Sequence, residues 1–65
     1  MSTAAVARIA LDLPGEEAQA LAQFVKRLTW SAMSECAVDD AECYRIRAAI
    51  DKLQRAIADA GYAPR

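Results

Sequence analysis

The sequence predicts an α+β protein, mainly helical, with one N-terminal strand followed by two main helices and a connection or short helix between them. Three observations predict it. From Ala5 to Leu13 the apolar residues alternate, with Ala5, Ala7, Ile9, Leu11 and Leu13 on one side and Val6, Arg8, Ala10 and Asp12 on the other. After Pro14-Gly15-Glu16-Glu17 the spacing turns helical and sets Ala18, Leu21, Phe24, Val25 and Leu28 on one stripe. From Cys43 to Ala60 a second and longer stripe follows. A period of two belongs to a strand and one near 3.6 to a helix. A lone strand leaves its backbone donors and acceptors unpaired, and no second strand is evident in the chain. The expected solution is an intertwined homodimer whose two copies pair these strands as an intermolecular antiparallel β-ribbon.

Size supports assembly. The chain of 65 residues makes a single β-α-α domain. A domain this short buries only about 60% of its unfolded surface, so a staple or a partner is needed to support the core. Cys36 and Cys43 are two cysteines seven residues apart, too few for a disulfide scaffold. If one helix ran through both they would stand about 10 Å apart, beyond disulfide reach. With no histidine, a zinc site lacks four plausible ligands. Oligomerisation is the remaining route, and a hydrophobic fraction of 55% fits a surface meant to be covered.

Taken in order, residues 1–4 read as a flexible arm and residues 5–13 as the strand. The first helix is expected over 15–28, with Glu16 and Glu17 at the positive end of its dipole and Lys26 and Arg27 in its last turn. Residues 29–38 form a connection or a short helix, with Ser31 as its cap and Trp30 and Met33 turned inward. The second main helix is expected over 40–60. Asp39 with Glu42 three residues later resembles a capping box. Cys43, Ile46, Ile50, Leu53, Ile57 and Ala60 then repeat at spacings of three and four, a heptad-type seam flanked by Ala48, Ala49, Ala56 and Ala58. Gly61 is placed to end the helix in a left-handed turn, with Pro64 beyond it.

Chemistry is sparse. Without histidine the commonest general base is missing, and so small a chain does not readily enclose a substrate pocket. The acidic cluster Asp39, Asp40 and Glu42 is accounted for by helix capping. No catalytic residue, metal ligand or cofactor is expected, and the protein reads as a non-enzyme. Eight basic and nine acidic residues give a net charge of −1, which announces neither nucleic acid nor an anionic membrane. The N-terminus lacks a basic region followed by an apolar run, and no stretch has the length of a membrane span. The expected setting is the cytoplasm, with reduced thiols.

Two resemblances follow from these residues. The run Arg8-Ile9-Ala10-Leu11-Asp12-Leu13-Pro14-Gly15-Glu16-Glu17 with the helix after it resembles the ribbon–helix–helix family of small dimeric DNA-binding proteins. That resemblance implies a ribbon inserted in the major groove, with Arg8 as a reader and Lys26 and Arg27 as supplementary cations. The stretch at 21–29, Ala37-Val38-Asp39-Asp40 and the tail at 60–65 are similar to small uncharacterised bacterial and prophage-associated proteins. This second resemblance implies a phage or mobile-element setting.

The function expected is that of a small homodimeric protein-interaction module that binds another, unknown protein. Its dimer interface would draw on Ile9, Leu11, Leu13, Trp30, Ile46, Ile50, Leu53 and Ile57. The alternative is a ribbon–helix–helix-like transcriptional regulator. DNA is the less favoured partner, because acids are interspersed with the bases on the second helix while DNA binding gathers cations on one side.

Overall fold

The computed structural model describes residues 5–62. The flexible arm expected over residues 1–4 and the helix-blocking Pro64 lie outside the described residues. Among the described residues three helices follow one another: α1 (Gly15–Arg27), α2 (Trp30–Cys36) and α3 (Asp40–Asp59). No β-strand is formed among the described residues, and 5–14 runs without regular secondary structure. The expected strand over 5–13 is therefore corrected, and with it the α+β class, the β-ribbon and the intertwined dimer built on that ribbon. The physical reason is that a strand exists only through pairing, and no backbone–backbone hydrogen bond among the described residues involves 5–13. Ala5, Ala7 and Ala10 also give this stretch weak intrinsic β preference.

Helix α1 starts behind Pro14, whose backbone is extended (ψ 150°) and whose carbonyl accepts from the amides of Glu17 and Ala18 at 3.0 Å each. Glu16 and Glu17 lie in its first turn and Lys26 and Arg27 in its last, so charge complements the dipole at both ends. Leu28 and Thr29 return the chain to extended geometry. Thr29, not Ser31, caps α2: its hydroxyl accepts from the Ala32 amide at 3.1 Å. The cap must have non-helical backbone, which Thr29 has (φ −114°, ψ 163°), whereas Ser31 already lies in the first turn.

Helix α3 has a defined stop at each end. At its start Asp39 accepts from the Glu42 amide at 2.8 Å. Glu42 reaches back to the amide of Val38 at 2.9 Å, one residue earlier than in the usual reciprocal box. At its end Gly61 adopts φ 100°, donates to the Ala58 carbonyl, and is followed by a Tyr62 amide donating to the Ile57 carbonyl at 3.1 Å. Those two bonds are the paired 5→2 and 6→1 contacts of a Schellman motif.

Helix α3 is the common partner of the other two, packing against both α1 and α2. The buried apolar residues are Ala18, Ala22 and Val25 of α1 with Cys43 and Ile57 of α3, and Cys43 is completely covered. On α1 the covered stripe is thus 18–22–25, and Phe24, expected on the packed face, is 57% exposed. Among the described residues three of the five core side chains are alanine or cysteine, so little apolar area leaves water there. Ile46, Ile50 and Leu53 in the middle of the α3 seam are only half-buried, and Ala60 is exposed.

The molecule is correspondingly spread. Its radius of gyration is 13.3 Å, against about 11 Å for a compact chain of this length. Its accessible surface is 5373 Å2, where a compact monomer of 7.0 kDa has about 4,000 Å2.

Candidate functional site

Two grooves flank the α3 seam. The larger, about 720 Å3, lies between the 5–14 segment and the helices. One wall is the segment itself, through Ala7, Ile9, Leu11 and Leu13. The other is Leu21 of α1 with Ala49, Leu53, Ala56, Ile57 and Ala60 of α3. The alternation that suggested a strand therefore has a different structural outcome. The odd-numbered Ala7, Ile9, Leu11 and Leu13 line one side of a groove against the helices without pairing to another strand. The segment does not close on the helices: Ile9 is 86% exposed and Leu11 63%. Two charged residues complete the lining, Asp12 on the segment and Lys52 on α3. Neither forms an ion pair with another described residue.

The second groove, about 400 Å3, is bounded by Val25, Lys26 and Leu28 of α1 and its exit, by Trp30 and Met33 of α2, and by Arg47, Ile50, Asp51 and Gln54 of α3. At about 100° per residue, the α3 positions lining this groove and those lining the first fall on opposite sides of the seam. Trp30 stacks obliquely on Tyr44, with ring centroids 4.9 Å apart and planes at 58°. This geometry lies within the favourable range for aromatic pairs. Both rings stay accessible, so Trp30 faces outward rather than into the core. The pair joins α2 to α3 across a separation of 14 residues, and neither periodicity nor spacing gave a signal for it.

The residues expected at a dimer interface divide between the grooves. Ile9, Leu11, Leu13, Leu53 and Ile57 line the larger one, and Trp30 and Ile50 the smaller. Ile46 lines neither. Of the cations considered for DNA, Lys26 lies in the smaller groove beside Arg47 and Asp51, while Arg8 and Arg27 line neither groove. Among the described residues no group of three or more acidic, cysteine or histidine side chains is placed to hold a metal ion.

The two thiols differ. Cys36 is exposed and Cys43 is buried. Burial raises the Cys43 thiol above its ordinary value, and the neighbouring Asp40 carboxylate adds to the shift. Where α1 begins, Gly15 lies against the end of the chain's last turn. A Cβ at that position would come within 2.7 Å of the Tyr62 hydroxyl oxygen.

Among the described residues no helix is long and apolar enough to cross a membrane. No curated protein and no solved structure matches the chain. A family model matches it over residues 1–65, and the chain belongs to that family, DUF7706, a family of unknown function.

Proposed function

We propose that the protein is a small homodimeric protein-interaction module that acts in the cytoplasm by binding another protein. One observation carries this reading: the chain exposes about 1,300 Å2 more surface than a compact monomer of its mass. A standard protein interface takes about 800 Å2 from each partner, so the excess is of the size that association removes. The exposed side chains include Val6, Ile9, Leu11, Phe24 and Val38, which are large and apolar. Of these, Ile9 and Leu11 share the larger groove with Leu13, Leu21, Leu53 and Ile57, and apolar surface gathered in this way marks interaction sites in soluble proteins.

The two grooves give such a module two working sides. The larger is lined almost wholly by aliphatic side chains and suits an interface of the obligate, core-like kind. The smaller combines Trp30 and Met33 with Lys26, Arg47 and Asp51, the mixture of aromatic anchor and polar rim found where partners come and go. A bacterial or phage regulatory setting accords with a protein that works by occupancy.

Sedimentation velocity across micromolar concentrations tests self-association, and a dimer is the expected species. Affinity capture from the native host tests the second side: a partner retained by the wild-type chain should be lost with Trp30→Ala while the dimer persists. Titration with DNA from the gene's own upstream region gives the opposing outcome. Sequence-selective binding that falls steeply with salt, and is lost in Arg8→Ala, would replace this reading with a DNA-binding one.

A further inference from the structure

We propose that the larger groove is the self-docking site, with a second copy seated face to face about a two-fold axis so that Asp12 of each copy meets Lys52 of the other. The inference rests on the reading of the protein as a self-associating module and specifies the surface through which it does so.

The occupant follows from the groove's charge. Its lining is apolar except for one acid and one base, Asp12 and Lys52, carried on separate elements. A groove built for a charged partner carries an excess of the opposite sign. This one is balanced, and a balanced surface with its two charges on different walls complements itself. In an isologous contact residue i meets j and j meets i, so a single acid–base combination is satisfied twice. Neither side chain is engaged with another described residue of its own chain, and both are exposed.

The helical wall has the matching shape. Ala49, Leu53, Ala56 and Ala60 of α3 recur at spacings of four, three and four. That is the register of a helix–helix contact, and the alanines permit close approach. The contact needs no strand pairing.

Charge reversal tests the pairing. Asp12→Lys and Lys52→Asp chains should each repel their own kind at two points per dimer, raising the self-dissociation constant at least about tenfold. Mixed together, the two variants should form a heterodimer, because both cross-copy contacts then join opposite charges. The doubly substituted chain should recover self-association. Native mass spectrometry identifies the heterodimer by mass, and sedimentation gives the affinities. The same charge changes at Glu35 and Arg45, which lie outside the groove, control for net charge and should not drive selective heterodimer formation. The assignment is overturned if the singly substituted chains remain folded by circular dichroism and dimerise as the wild type does. It is overturned equally if the mixture fails to form the heterodimer, or if the control mixture forms its heterodimer beyond the statistical proportion. A wild-type chain that stays monomeric at high micromolar concentration removes the self-association reading itself, whereas a dimer insensitive to these changes removes only this surface.

Discussion

The 5–14 segment and helix α3 are both patterned in apolar residues, yet they stand in opposite relation to water. On α3 the interior backbone groups pair within the helix and its ends are closed by the Asp39 side chain and the Gly61 turn, so the element needs a neighbour chiefly for one side-chain stripe. Cys43 and Ile57 find that cover on the described chain. The 5–14 segment must obtain both backbone partners and side-chain cover from outside itself, and Val6 and Ile9 remain nearly as accessible as in an unfolded chain. The difference teaches that a hydrophobic period sets which side chains go together, while the backbone decides whether the element can stand without a partner.

Breaking the covered side of this comparison should have the largest effect. Ile57→Ala removes a side chain that is 8% exposed and is expected to cost about 2–4 kcal/mol in urea unfolding at fixed protein concentration. Gly61→Ala places a Cβ on a residue at φ 100° and should cost about 1–2 kcal/mol, with the loss appearing as fraying of the last turn of α3. At the other end Asp39→Ala deprives the Glu42 amide of its acceptor and should cost about 1 kcal/mol.

The thiols sharpen the same contrast through pH. In the native protein Cys36 should react promptly with a thiol reagent and Cys43 only after unfolding. Because the folded state holds the Cys43 proton more tightly than the unfolded state, this group's contribution to stability is complete below the ordinary thiol range. It is lost as pH rises from there toward the raised value, so unfolding midpoints should fall on that alkaline side and recover on return to neutral pH. Val6→Ser should have the smallest effect, within about 0.5 kcal/mol, because that side chain is 88% exposed.

The parts of this fold legible in the sequence are those governed by contacts between near neighbours. Asp39 with Glu42, Gly61 at the end of α3, and the charges at both ends of α1 act over one helical turn, and each is found in its expected role. The short helix at 30–36 is harder to read because Thr29, Trp30 and Ser31 have middling helix propensity, and the cap falls at Thr29 and not at the expected Ser31. The strand could not be decided from residues 5–13 at all, since its existence depends on what lies beside it. Phe24 was misplaced because α1 meets α3 along its alanines, and a stripe drawn through the largest residues points to the wrong flank. Of the candidate site, Ile9, Leu11, Leu13, Leu53 and Ile57 of the larger groove and Trp30 and Ile50 of the smaller were named together as one interface set. Their division into two grooves, and the Trp30–Tyr44 contact, required three-dimensional placement.

The close approach of Gly15 and Tyr62 has one more consequence. The residue at which the leading segment joins α1 lies against the ring that follows α3, and the absence of a side chain at Gly15 is what lets the two come so near. The start of α1 and the turn after α3 are thereby brought together by a residue with no side chain. A Cβ at position 15 would meet the Tyr62 hydroxyl oxygen at 2.7 Å, so even alanine there requires the far end of that ring to turn away from the start of α1.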